Sequence, residues 1–256
     1  MSGAEVTLKA LTGIKLVEPG DDLGAIAIAA FAANQVMPAP GDVLVVAQKI
    51  VSKAEGRYVD VATVEPSPRA VALAAETDKD PRFVEIVLGE AKRVVRHRPG
   101  LLIVEHRLGF VMANAGIDHS NLPPGDGAER VLLLPVDPDG SAARLRRSIG
   151  EVLGVTIAVI ISDSFGRPWR KGTVGVALGA AGLPAFIDMR GQPDLFGREL
   201  RVTETGFADE IAAAAGLVMG QAAEAVPMVL VRGLAWSAPD LPVAAMVRSP
   251  ENDLFR

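Results

Sequence analysis

Short apolar runs, turn residues and stretches of helical periodicity succeed one another along this chain. Residues 6–10 alternate weakly, and residues 43–47 are short and β-branched enough for a buried strand. Between them Gly13-Ile14-Lys15-Leu16-Val17 leads through Glu18-Pro19-Gly20 to Asp21 or Asp22. Either aspartate can cap an alanine-rich helix ending near Ala33. Pro38-Ala39-Pro40-Gly41-Asp42 marks the turn into the second run. Ser67-Pro68 predicts a helix start with proline at the first helical position. Asp80-Pro81 predicts another, running through Phe83, Val84, Val87, Leu88 and Ala91 at helical spacing.

Residues 101–104 and 110–113 predict a hairpin across Arg107-Leu108-Gly109. After residues 132–134, Asp137-Pro138-Asp139-Gly140-Ser141 caps a basic amphipathic helix. Its Arg144, Arg146 and Arg147 read as a solvated face. Residues 155–161 are the most strand-like stretch. The small, glycine-rich residues 174–182 predict close packing against another backbone. Residues 207–223 read as a long helix with Asp209 and Glu210 in its first turn, and residues 227–231 as a late strand. No repeat, low-complexity tract or clear linker divides the chain. Helices interleaved with hairpins predict a mixed sheet rather than a doubly wound one.

Composition narrows the chemistry. A chain of 256 residues can bury a large core, and 49% hydrophobic with 22% charged residues is ordinary for a globular protein. The net charge of −5 argues against a nucleic-acid or anionic-membrane surface, so any polyanion site needs local arginines or lysines. There is no cysteine, which excludes disulfides, thiolate zinc sites and cysteine nucleophiles. With only His97, His106 and His119, a histidine-rich metal cage is not expected. The N-terminus does not read as a signal peptide, and no apolar run approaches the roughly 20 residues of a membrane span, so the expected location is cytoplasmic.

Two acidic segments carry the functional signal. Asp118 in Asn114-Ala115-Gly116-Ile117-Asp118 follows residues 101–104 and 110–113, and Asp163 in Ile161-Ser162-Asp163-Ser164 follows residues 155–161. Carboxylates among hydroxyls and amides at strand ends, with arginines close behind, suit a hard divalent cation and a phosphate chain. Taken alone, Asp118 reads better as the cap of an Asx turn than as a ligand, and Asn121 can cap a turn likewise. The block from Gln48 to Arg57 carries Lys49, Lys53 and Arg57 after a strand. It reads equally as a solvated charged loop and as a phosphate cradle with Lys53 as a point charge. Arg167-Pro168-Trp169-Arg170-Lys171, directly after Asp163, reads as a carboxylate- or phosphate-recognising cluster rather than a solubilising loop. His119 is left unassigned. No P-loop, Gly-x-Gly-x-x-Gly or Gly-x-Ser-x-Gly motif is present.

With these segments in place the chain resembles the coenzyme F-420-0:L-glutamate ligase (gamma-glutamyl ligase) family. The resemblance rests on residues 13–17, 51–57, Asn114 to Asp118 with Ser120-Asn121, Leu134-Pro135, residues 137–141, 161–164, 166–167, 194–200, 208–212 and Met219-Gly220, in that order. It implies an α+β fold, gamma-glutamyl-ligase-like, of mixed sheets with flanking helices in two intimately joined subdomains. It implies a single ligase domain over residues 1–256, without the flavin-binding, nitroreductase-like domain that some relatives carry. The implied activity is GTP-dependent addition of L-glutamate to F-420-0 through an acyl phosphate, then of a second, γ-linked glutamate. Mn²⁺ or Mg²⁺, assisted by K⁺, and a homodimer are implied with it.

Carried over residue by residue, Asp118 and Asp163 resemble metal ligands, with Ser164 joining a second metal. Ile14, Lys15, Leu16, Val17, Gln48, Lys49, Lys53 and Asn121 resemble nucleotide contacts. So does the segment Met219, Gly220, Gln221, Ala222, Ala223, Glu224, Ala225, Val226. Some family members have a glutamate at the position of Gln221, and an amide is a weaker ligand for a hard cation than a carboxylate. Gln221 therefore stands as a metal ligand with Glu224, one helical turn on, as its substitute. Lys53 is expected to stabilise the phosphate chain, and Arg167 or Arg170 to orient the incoming glutamate or the acceptor carboxylate.

Overall fold

The computed structural model describes residues 5–120 and 129–254. The first strand, β1 (Thr7–Leu11), leads to α1 (Leu23–Ala33), whose N-cap Asp22 accepts hydrogen bonds from the Gly24 and Ala25 amides. β2 (Val43–Ala47) runs without a break into α2 (Gln48–Ala54). The cationic block after β2 is thus largely a buried helix, which removes the solvated loop, one of the two readings its composition allowed. Ile50 and Val51 on one side of it reach the apolar core, while Gln48, Ser52 and Lys53 are buried too.

β3 (Tyr58–Asp60) is followed by α3 (Pro68–Thr77) and α4 (Pro81–Glu90), capped by Ser67 and Asp80 with proline in the first turn of each. α4 stops one residue short of Ala91, which instead opens β4 (Ala91–Arg98). β5 (Leu101–His106), β6 (Val111–Ala113) and β7 (Arg130–Leu132) come next. α5 (Pro138–Leu153), capped by Asp137, precedes the long pair β8 (Ala158–Arg167) and β9 (Arg170–Ala181). β10 (Ile187–Asp188), β11 (Glu204–Thr205), α6 (Phe207–Met219) and β12 (Met228–Arg232) complete the order.

Five strands form the main sheet, in the order β1-β12-β2-β8-β9, and only β2 and β8 run parallel. Leu44, Val46, Val159 and Ile161 point to one face, packed under α1, α2 and α5; Val43, Val45, Ala158 and Ile160 point to the other, packed under α6. This period-two division is why both strands read as continuous apolar runs. Small residues let the helices approach. A Cβ on Gly179 would lie 2.2 Å from the Pro138 carbonyl carbon at the start of α5, and one on Gly175 would lie 2.5 Å from the Ala212 carbonyl oxygen in α6.

A second core lies in the segment between α2 and α5. There α3 and α4 pack Leu73, Phe83, Val84 and Val87 against Leu102, Val104, Val131 and Leu133 over the three-stranded sheet β4-β5-β6. Met112, Leu134 and Leu178 join this part to the main sheet. Arg57 adds a polar tie, its guanidinium donating to the Leu134 carbonyl at 2.9 Å and to Glu90 at 3.1 Å. The mixed α+β fold expected from the sequence is the fold observed.

Candidate active site

The parallel neighbours β2 and β8 pair Ala47 with Ser162, so the residues next in sequence, Gln48 and Asp163, lie side by side where the parallel pairing ends. Crevices outside the carboxyl ends of parallel strands are where α/β proteins bind ligands. Asp163 does not sit in a loop, as its position after an apolar run suggested. β8 continues through it to Arg167, paired with β9 around a register shift at Ile161/Ser162. Such bulges re-aim side chains beside active sites.

Asp118 reaches this edge from the second core. Asn114, Ala115 and Gly116 all have positive φ, at 51°, 56° and 68°. A buried alanine in the left-handed region is strained, and three such residues in succession turn the chain sharply. Asp118 then pairs with Leu132 through two backbone hydrogen bonds of 2.9 Å. Its carboxylate meets the first turn of α2. Gln48 Nε2 donates to Oδ2 at 2.8 Å, and Lys49 Nζ lies 3.4 Å from Oδ1 while also donating to Ser120 Oγ at 3.0 Å.

Burial, and next the negative charge of Asp118, push the Asp163 carboxyl up to about 7, against the pull of the Ser164 amide and the Lys49 ammonium. Asp118 is hydrogen-bonded to Gln48, and Asp163 follows the Ser162 that pairs with Ala47, so the two carboxylates come to the same place from different parts of the chain. Lys53, 7% exposed, is held below its ordinary value by burial and by Lys49, with Asp118 opposing. A third side comes from the segment after α6. Ser164 Oγ donates to Gln221 Oε1 at 2.6 Å, and the Pro227 carbonyl accepts from the Ala47 amide at 2.9 Å.

Other expected site residues are placed differently. Ile14 and Val17 pack on the main core, Leu16 is exposed, and Lys15 pairs with Asp21 at 2.6 Å. Their loop is tied to the far end of α2 by a bond from Gly20 to the Ala54 carbonyl. Arg167 and Arg170 face each other at the tip of the β8–β9 hairpin, where Arg167 donates to the Gly172 carbonyl. Four residues of extended chain put that tip roughly 13 Å beyond Asp163.

α6 ends at Met219, four residues short of its expected end, because Gly220 turns with φ 72° to feed β12. Glu224 is thus not one helical turn on from Gln221. Its carboxylate folds back to accept from the Ala222 amide at 2.7 Å. Met219 and Val226 pack against the α6 side of the sheet, and Ala223 and Ala225 lie in the exposed turn between. Asn121 lies outside the described residues. His119 stacks on Phe83, ring centroids 4.7 Å apart. The arginine stripe of α5 is only partly solvated, since Arg146 donates to the Ile157 carbonyl and Arg144 pairs with Glu55; Arg147 alone is free of such bonds in the described contacts and exposed.

Two carboxylates flanked by a hydroxyl and an amide oxygen suit the donor set of a hard divalent cation. Among the described residues no group of three or more His, Cys, Asp and Glu is placed to hold a metal. Such a cation would need the Ser164 and Gln221 oxygens, water or substrate phosphates to complete its shell, as Mg²⁺ sites commonly do. The residues present fit the group.

Residues 13–233 match the family model described as F420-0:Gamma-glutamyl ligase. The chain is 49% identical to a protein of Methanopyrus kandleri named Coenzyme F420:L-glutamate ligase, over 94% of this chain and 93% of that one. It is 45% identical to a protein of the same name from Methanothermobacter thermautotrophicus, over 98% and 99%. A third of that name, from Archaeoglobus fulgidus, is 44% identical over 95% and 94%.

Proposed function

The chain belongs to the F420-0:gamma-glutamyl ligase family, and on that premise we propose that it joins L-glutamate to coenzyme F-420-0 at the expense of GTP. The observation that carries this reading is the meeting of Asp118 and Asp163 where the parallel pairing of β2 and β8 ends, beside Lys49 and Lys53.

The acceptor carboxylate oxygen attacks the γ-phosphorus, GDP leaves, and an acyl phosphate forms. The glutamate amine then attacks the acyl carbon, the amide bond forms, and inorganic phosphate departs as the amine loses its proton. Catalysis of such a sequence is mainly positioning and charge neutralisation. Bound Mn²⁺ or Mg²⁺ would neutralise phosphate charge, with K⁺ assisting. Asp118 and Asp163 would hold the first cation, and Ser164 with Gln221 would take part in holding a second. Lys53 and Lys49 attract the phosphate chain, and residues 14–17 and 219–226 line the nucleotide. Arg167 and Arg170 recognise carboxylates of the incoming glutamate or of the acceptor. Repetition on the first product adds a second glutamate through its γ-carboxylate.

The protein acts as a homodimer in this reading. No helix among the described residues is long and apolar enough to cross a membrane.

Purified protein incubated with GTP, Mn²⁺, L-glutamate and F-420-0 tests the reading by mass spectrometry. Products heavier by one and two glutamyl units, with GDP formed only when both acceptor and glutamate are present, are expected. Steady GTP hydrolysis without acceptor, or no glutamylated product, would overturn it.

A further inference from the structure

One buried hydroxyl in α2 has no part in the proposed reaction. Ser52 is 0% exposed and sits one helical turn after Gln48, itself 2% exposed. Its Oγ donates to Gln48 Oε1 at 2.9 Å, and Gln48 Nε2 donates to Asp118 Oδ2 at 2.8 Å.

The proton order in this chain is forced. An ionised carboxylate accepts only, so the Gln48 amide must present its nitrogen to Asp118 and its oxygen to Ser52. Ser52 must then donate. The bond to Oδ2 fixes the rotation of the Asp118 carboxylate and leaves Oδ1, beside Lys49, as the oxygen turned toward a cation. Without the Ser52 hydroxyl, the buried amide oxygen loses its donor. The amide is then held by its bond to Asp118 alone, with nothing on the oxygen side to stop it tilting or shifting about that bond.

We propose that Ser52 is a positioning residue, fixing the Gln48 amide so that Asp118 is held in a cation-binding orientation. This rests on the reading of Asp118 as a cation ligand.

Mn²⁺ binding by the protein without nucleotide, followed by electron paramagnetic resonance and calorimetry, tests it in the parent, Ser52→Ala and Ser52→Thr. Ser52→Ala should bind Mn²⁺ about ten- to a hundredfold more weakly, as losses behind a metal ligand do. Ser52→Thr, which keeps the donor, should recover most of the affinity. Crystal structures of parent and Ser52→Ala read the same relay with no cation present. A displaced or rotated Gln48 amide is expected in the variant. An unmoved Gln48–Asp118 bond, or equal Mn²⁺ affinity in a folded Ser52→Ala, would overturn the relay while leaving the cation reading intact. A parent that takes up no Mn²⁺ at all would overturn both.

Discussion

Asp163 is held next to Asp118, a residue from a different core, closely enough that repulsion between the two carboxylates is second only to burial in raising the Asp163 carboxyl to about 7. The fold thus keeps together two groups that, without a counter-ion, destabilise each other.

A pH dependence of stability follows for the cation-free protein. The folded value of Asp163, about 7, lies above its ordinary 3.8. Its contribution to stability is therefore fully present below about pH 4 and is lost as the pH rises through 7. Asp163→Asn removes the charged form, so in the presence of chelator it should melt above the parent at pH 8 and near it at pH 4. Thermal melts at the two pH values check this. A variant less stable than the parent at pH 8 would contradict it.

Glu90 should show the opposite sign. It accepts from Arg57 at 3.1 Å and Arg107 at 2.9 Å, with His106 Nε2 at 3.4 Å. Burial opposes its charge, but His106, Arg107 and Arg57 prevail and hold the carboxyl below its ordinary 4.5. The stability it supplies is present above pH 4.5 and is lost as the pH falls through the lower, folded value. Glu90→Gln leaves two guanidinium groups short of a partner and should cost about 3 kcal/mol at pH 7. That deficit should shrink in acid. Urea unfolding at pH 7 and pH 4 measures it, and an equal deficit at both would be evidence against the charge.

Gly179→Ala probes the contact between β9 and α5. The added methyl would need the space of the Pro138 carbonyl carbon, 2.2 Å away, and of the Asp139 amide nitrogen, 2.5 Å away. Backbone has to shift, at a cost of roughly 1–3 kcal/mol. A melting temperature equal to the parent's would show that α5 has room there.

Local chemistry made much of this structure legible. Asp22, Ser67, Asp80 and Asp137 each announce a helix because a short acceptor side chain before a helical run has few other uses. Gly175 and Gly179 announced tight packing. β4 escaped because Ala91-Lys92-Arg93-Val94-Val95-Arg96-His97-Arg98 is an edge strand, where charge is favoured and alternation is weak. The polar half of β8 escaped because its ladder is closed by β9, a partner that no local pattern reveals. α2 escaped because seven residues without a side-chain cap carry little helical signal. Its i, i+4 pair of Gln48 and Ser52 was the one available clue to the polar chain behind Asp118.

Calorimetric titration of Mn²⁺ in the presence of GTP, on the parent, Asp118→Asn and Asp163→Asn, puts the shared site to its hardest trial. Each single substitution should weaken Mn²⁺ by roughly a hundredfold or more and suppress glutamylation with it. Variants that fold, bind Mn²⁺ like the parent and still form product would contradict a cation held jointly by Asp118 and Asp163.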